Sequence, residues 1–279
     1  MPHLPDPVIW SIPAFLLLLA LEFVSFRLFP DDGALGFDGR DTGTSMAMGL
    51  GSLGWNLLWA VPQVAAFAWL YDHAPWHVPS TLPTMVAVIV AYDFFYYWEH
   101  RAHHVIRVLW AAHVVHHSSE RFNLSTALRQ PWTGFTGWLF YIPLAAAGVH
   151  PAVIAFAGGI DLVYQFWIHT ERIDKMWRPF EFLFNTPSHH RVHHGSQGSY
   201  LDRNYGGVLI VWDRIFRTFT PETERVVYGL TTNIKTHNPL RVAYHEYLSI
   251  GRALRTRTTW RDRADTLVHG PGWEPETAR

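Results

Sequence analysis

Residues 93–117 read DFFYYWEHRAHHVIRVLWAAHVVHH, an aromatic run that passes through Trp98 into two groups of histidine, His100/His103/His104 and His113/His116/His117. Both groups have the form H-x-x-H-H, and a third copy, His190/His193/His194, lies in PSHHRVHHG at 187–195. On a helix, positions i, i+3 and i+4 share a face, so each triplet is expected to aim its imidazoles in one direction. The chain has 18 histidines in 279 residues. Packing alone gives no reason to repeat one residue type at one spacing three times.

The pattern points to metal. Neutral imidazole is a common ligand for borderline transition metals, and three triplets offer more nitrogen donors than one tetrahedral zinc can use. Two ions are therefore expected. With no cysteine in the chain, the donor set is all nitrogen, which suits iron, copper or zinc; redox iron is the ion for which a large ligand set with open positions makes catalytic sense. Clustered imidazoles would repel one another if protonated, and a metal holds them neutral. The isolated His3, His73, His77, His150, His237, His245 and His269 read as ordinary surface or packing residues.

Outward from this stretch the chain turns apolar. Hydrophobic residues make up 49% and charged residues only 16%, below the usual charged share of a soluble protein. The apolar residues fall in blocks at about 8–29, 44–71, 82–98, 132–149 and 151–168, each near the roughly 20 residues that cross a bilayer core. The first carries Glu22 and Arg27 near one end, where snorkelling is tolerated; it reads as a retained span, since no basic leader precedes it. A polar loop with Asp31, Asp32, Asp38, Arg40 and Asp41 follows. The fold expected is all-α, a polytopic membrane helical bundle with a cytosolic, histidine-rich di-metal cap. Its parts are spans 1–3 over 1–98, two histidine clusters over 99–131, a membrane hairpin over 132–169, and a cap over 170–279 with the third cluster and an Arg-rich surface helix. If the clusters share one side, the opposite loops at 1–8, 72–81 and 148–151 contain no Lys or Arg, which places the metal site on the cytoplasmic face. A net charge of −1 gives no case for nucleic acid.

Two other readings compete, a membrane zinc hydrolase and a metal-handling membrane protein. A zinc protease shows H-E-x-x-H, a string this sequence lacks, and a transporter places its ligands mid-span, whereas these histidines lie at or past span ends.

Taken together, the boxes and the text around them, HHSSERFNLSTALRQ (116–130), YQFWIHTERI (164–173), NTPSHHRVHHG (185–195) and NYGGVLIVWDRIFRTF (204–219), resemble the fatty acid hydroxylase and sterol desaturase superfamily, in particular its alkylglycerol monooxygenase branch with bacterial members. The resemblance implies two irons held by His100, His104, His113, His116, His117, His190, His193 and His194 together with His169 past the last span. It further implies O2-dependent hydroxylation or desaturation of a lipid, and an electron-transfer partner such as ferredoxin, cytochrome b5 or tetrahydropterin. His103 and His189 are extra to the pattern. Behind the rings, Asp93, Glu99, Asn123, Asp161, Gln165, Asn204 and Asp213 are the expected hydrogen-bonding partners. The localisation implied is a multi-pass protein of a bacterial inner membrane.

Overall fold

In the computed structural model, which describes residues 4–31 and 33–275, the first two helices are turned inside out relative to those of a water-soluble core. Helix α1 (Pro7–Leu28) is capped by the Asp6 carboxylate and buries only Glu22. Leu16, Leu17, Leu57, Leu58 and Val61 of α1 and α2 (Gly39–Asp72) stand exposed, while Asp41, Thr44, Ser45 and Ser52 of α2 are buried. Water would penalise that arrangement and lipid favours it. Both helices are long and apolar enough to cross a membrane. At 34 residues, α2 rises about 51 Å, well beyond a hydrocarbon core of about 30 Å. Its first turns therefore dock on protein: Arg129 donates to Asp41 Oδ1 at 2.6 Å and to Ser45 Oγ at 3.1 Å, and Ser119 Oγ donates to Asp41 Oδ2 at 2.6 Å. His3 and Asp32 lie outside the described residues.

Glu22 is not a snorkelling residue. Its carboxylate accepts from Leu124 N at 2.8 Å and from the Thr170 hydroxyl, so it ties α1 to both loops that flank the histidines.

Helix α3 (Leu82–Val105) continues unbroken through Trp98 and carries the first triplet on its last turns. Ile106, in extended conformation, breaks the chain before α4 (Arg107–His117). The break lays one helix against the other, and Arg107 at the start of α4 anchors it to residues far along the chain, its guanidinium donating to Glu246 at 2.8 Å and Ser249 at 3.0 Å.

The fourth apolar block departs from the straight span expected over 132–149. It is a 3-10 run over Gly134–Tyr141 followed by the five-residue α5 (Ile142–Ala146). Pro143 at the head of α5 cannot donate a backbone hydrogen bond, and a Cβ at Gly137 would come within 2.6 Å of Glu99 Oε1. After a turn at Gly148 (φ +79°), whose carbonyl accepts from Val78 N at 2.8 Å, α6 (Pro151–Trp167) returns toward the histidines. The 13- and 17-residue helical stretches are apolar but shorter than α1 and α2.

Past residue 170 the chain forms α7 (Arg178–Leu183), α8 (Pro187–His193), α9 (Val211–Ile215), α10 (Pro239–Thr256) and α11 (Trp260–Val268). The single surface helix expected at the end is thus two. Among the described residues there is no strand, only isolated bridges at Phe184 with Leu209 and Gly195 with Tyr228. The fold is all-α.

Candidate metal centre

Helices α3 and α4 meet at the break at Ile106, and α8 and the segment just past α6 bring further histidines to them. The result is two adjacent groups of imidazoles. His100, His104, His113, His117 and His193 form one; His116, His169, His190 and His194 form the other; within each, the candidate ligand atoms lie within 4.8 Å of one another.

The triplets do not each point one way. On α4, His113 and His117 serve the first group and His116 the second; on α8, His190 and His194 serve the second and His193 the first. The helical wheel explains the split, because i and i+4 differ by about 40° whereas i+3 and i+4 differ by about 100°. In α3 only His100 and His104 join a group. His103 turns away, its Nδ1 on Glu99 O at 2.8 Å and its Nε2 3.3 Å from Thr136 Oγ1. His189 also turns away from both groups, pairing with Glu181 at 2.9 Å.

Backbone carbonyls set the ring tautomers. The Nδ1 atoms of His100, His169 and His193 lie 2.8, 2.7 and 3.0 Å from the carbonyls of Tyr205, Gln165 and Arg203, and that of His116 lies 3.3 Å from Arg129 O. Each Nδ1 must donate there, so each Nε2 carries a bare lone pair. Yet His116 Nε2 and His169 Nε2 face each other at 3.1 Å. Two lone pairs at that distance repel, and a cation between them removes the conflict. The buried Nε2 atoms of His104 and His194 have no hydrogen-bond partner among the described residues, which a metal bond would also satisfy. Neighbouring Nε2 pairs span 2.9–3.1 Å. That is the edge between nitrogens about 90° apart on an ion with bonds of about 2.1 Å, shorter than the roughly 3.4 Å edge of a tetrahedron. The residues fit two transition-metal ions held by nitrogen donors.

Burial holds the rings neutral. It pushes His113, His116, His117, His190, His193 and His194 well below the usual histidine range, with neighbouring imidazoles adding to the effect, and takes His169 down to about 4. Neutral imidazole is the ligating form.

The polar residues expected behind the rings stand mostly elsewhere. Asp93 accepts from Val208 N, Leu209 N and Trp212 Nε1, stitching α3 to the segment before α9. Asp161 accepts from Gln165 Nε2, whose amide oxygen takes the Tyr96 hydroxyl. Asn123 bonds Gly36 O and Ser125, Asn204 bonds His189 O and Thr220, and the Glu99 carboxylate takes the Tyr141 hydroxyl. Gln165 reaches a clustered ring through its backbone alone. Asp213 acts at one remove: it accepts from Tyr205 N, Gly206 N and Thr218 Oγ1, fixing the loop whose carbonyl orients His100.

Sequence reasoning missed Tyr205, Arg203 and Arg129, which act through carbonyls that any residue possesses. It also missed Phe122, which stacks on His169 and on Tyr228 with centroids 5.6 and 5.0 Å apart, and Asp202, 3.5 Å from His104 Nδ1. Asp202 and Asn204 both adopt a left-handed backbone (φ 58° and 56°), which Asx residues tolerate.

Residues 85–218, which carry all nine clustered histidines, match the fatty acid hydroxylase family, and this stretch of the chain belongs to it. The chain is 39% identical to the alkylglycerol monooxygenase of Homo sapiens, over 99% of its own length and 62% of that relative. It thus spans less than two thirds of that relative. The alkylglycerol monooxygenase of Caenorhabditis elegans is 40% identical over 63% of this chain and 35% of its own. An ornithine lipid hydroxylase of Rhizobium tropici is 28% identical over 66% of this chain and 56% of its own. No solved structure matches the chain.

Proposed function

We propose that the chain is an integral-membrane, non-haem di-iron oxygenase that uses O2 to hydroxylate, or desaturate, a C–H position of a lipid. The observation that carries this reading is the facing pair of lone pairs at His116 and His169, set within nine clustered imidazoles. His100, His104, His113, His117 and His193 would hold one ion, and His116, His169, His190 and His194 the other. Iron bound there would supply reduction of O2 and oxidation of an unactivated C–H bond.

The chain's own residues do the rest. The carbonyls of Tyr205, Arg203, Gln165 and Arg129 orient the rings and raise the basicity of each Nε2. Phe122 against His169, and Trp110 and Tyr205 against His104 with centroids 5.1 and 5.3 Å away, keep bulk water from the rings. The exposed apolar flanks of α1 and α2 hold the centre at the edge of lipid, from which an acyl or alkyl chain can enter sideways. The substrate is an ether, fatty acyl or sterol lipid, of which the relatives named for an alkylglycerol and an ornithine lipid favour the first two. Electrons would come from a ferredoxin, cytochrome b5 or tetrahydropterin.

The proposed topology has five apolar passes, the first three within 1–98 and a hairpin within 132–169, with the histidine segments 99–131 and 170–279 on the cytoplasmic face of a bacterial inner membrane. The absence of Lys and Arg from 72–81 and 148–151 supports it. Because the chain has no cysteine, Ser80→Cys and Ser196→Cys are unique labels: a membrane-impermeant maleimide should reach the first from outside and the second only after lysis, and the reverse result would invert the orientation.

The function is tested by metal content and isotope transfer. Protein from iron-supplemented cells should hold about two irons per chain, and cells expressing it under 18O2 should label a membrane lipid that cells lacking it do not. Full zinc loading with less than about one iron per chain would favour the hydrolytic reading instead.

A further inference from the structure

We infer that the cleft between α10 and α11 binds the headgroup of an anionic phospholipid, a second lipid contact separate from the histidine centre. The inference rests on the membrane placement proposed above but not on the oxygenase chemistry. The cleft has a volume of about 520 Å³ and is lined by Leu254, Arg255, Trp260, Arg263, Ala264 and Leu267. It has an apolar floor, two guanidinium groups and an indole that is 82% exposed, with the Arg263 guanidinium 5.0 Å from the Trp260 ring centre. Aromatic and cationic groups around an apolar slot are what a phosphodiester above acyl chains requires.

The surrounding charge has the same sign. Between residues 239 and 268 there are six arginines and three acidic residues. The acids are already engaged: Glu246 holds Arg107, Asp262 accepts from Thr259 at the start of α11, and Asp265 lies 3.7 Å from Arg261. Among the described residues, Arg241, Arg252, Arg255 and Arg263 form no ion pair. Arg241, Leu248, Arg252 and Arg255 recur on one side of α10 at helical spacing, opposite the buried Val242, Ala243 and Ile250. That inner side packs on Met48 of α2 and Val115 of α4. The helix that carries the cleft thus packs through its first turn on a helix that can cross the membrane, which favours a membrane lipid over a soluble phosphate as the occupant.

The test uses the full chain, purified in neutral detergent, stripped of lipid and offered equimolar phosphatidylglycerol and phosphatidylcholine, with retention read by native mass spectrometry. The unmodified chain should retain phosphatidylglycerol roughly tenfold more than phosphatidylcholine, and R255Q/R263Q should bring the ratio near one while iron content stays unchanged. Equal retention by the unmodified chain, a preserved preference in the variant, or displacement of the lipid by inorganic phosphate would each overturn the inference. A second reading leaves the arginines intact: brominated phosphatidylglycerol should quench the fluorescence of the unmodified chain more than that of W260F, and equal quenching would also overturn it. None of these measurements depends on turnover, so a failure here leaves the oxygenase reading untouched.

Discussion

The triplets on α3 and α4 have the same spacing and different fates. On α4 the middle histidine, His116, crosses to the second group and faces His169; on α3 the middle histidine, His103, turns its back and bonds the carbonyl of Glu99. The difference lies in the neighbours. Beyond the i+3 face of α4 stand His169 and α8, which supply three more imidazoles; beyond that of α3 stands the 3-10 run with Thr136. Spacing offers a direction, and the tertiary partner decides whether it becomes a ligand.

The sharpest way to break this comparison is to remove the α4 residue. His116→Ala takes one of four donors from the second group, where no spare ring can replace it. Iron should fall from about two to about one per chain and product formation should cease, with membrane insertion intact; His193→Ala should act likewise on the first group. Normal product formation by both variants would end the catalytic assignment.

Metal removal comes next in size. In the metal-free protein the pKa of His169, depressed by burial from 6.5 to about 4, makes the folded state the weaker binder of protons. Its contribution is therefore present above pH 6.5 and is lost as pH falls from 6.5 through 4, about 3 kcal/mol for this ring alone. The other buried rings shift in the same direction. Chelator-treated protein should lose thermal stability steeply over that window, and iron-loaded protein much less, because bound metal competes with protons. Parallel pH profiles with and without metal would show that the rings bind none.

Glu22→Gln probes how the second group is supported. The carboxylate accepts from Leu124 N and Thr170 Oγ1, and Thr170 follows His169. An amide keeps one acceptor and sets its NH2 against the other donor, a loss of about 1–3 kcal/mol. The signature is selective: iron should leave the second group before the first, a biphasic loss in a chelator titration. A single phase would show that α1 braces both groups equally.

Much of this was legible in the sequence, for reasons that differ by residue. His100, His104, His113 and His117 were visible as candidates because repeated spacing within a helix is a local property, although each was grouped with its whole triplet. The second group draws on α4, the segment after α6, and α8, so His169 became a candidate only through the resemblance. The helical wheel separates His116 and His193 from their triplet partners, but which group each joins is a tertiary outcome. The second layer was misread for a physical reason: carboxylates and amides were expected behind the rings, but carbonyls of Tyr205, Arg203, Gln165 and Arg129 do that work, and a carbonyl leaves no mark in a sequence. The apolar blocks at 8–29 and 151–168 match α1 and α6 to within one residue at each end, whereas α2 begins at Gly39, five residues before the block at 44–71. The block at 132–149 does not match one helix, because Pro143 and the close approach of Gly137 to Glu99 favour a tighter winding than hydropathy reveals.

The smallest expected effect is also the most discriminating for the comparison. His103→Gln removes a ring that belongs to an H-x-x-H-H triplet yet lies in neither group. It gives up the bond to Glu99 O and a long contact to Thr136, so unfolding should shift by no more than about 1 kcal/mol. Iron content and turnover should stay within about twofold, since no clustered ring is oriented by it. If His103→Gln instead cost an iron, as His116→Ala should, the α3 triplet would be using its middle position after all. The closed geometry around Thr136 would then be one state of a centre that recruits a sixth ring to its first group.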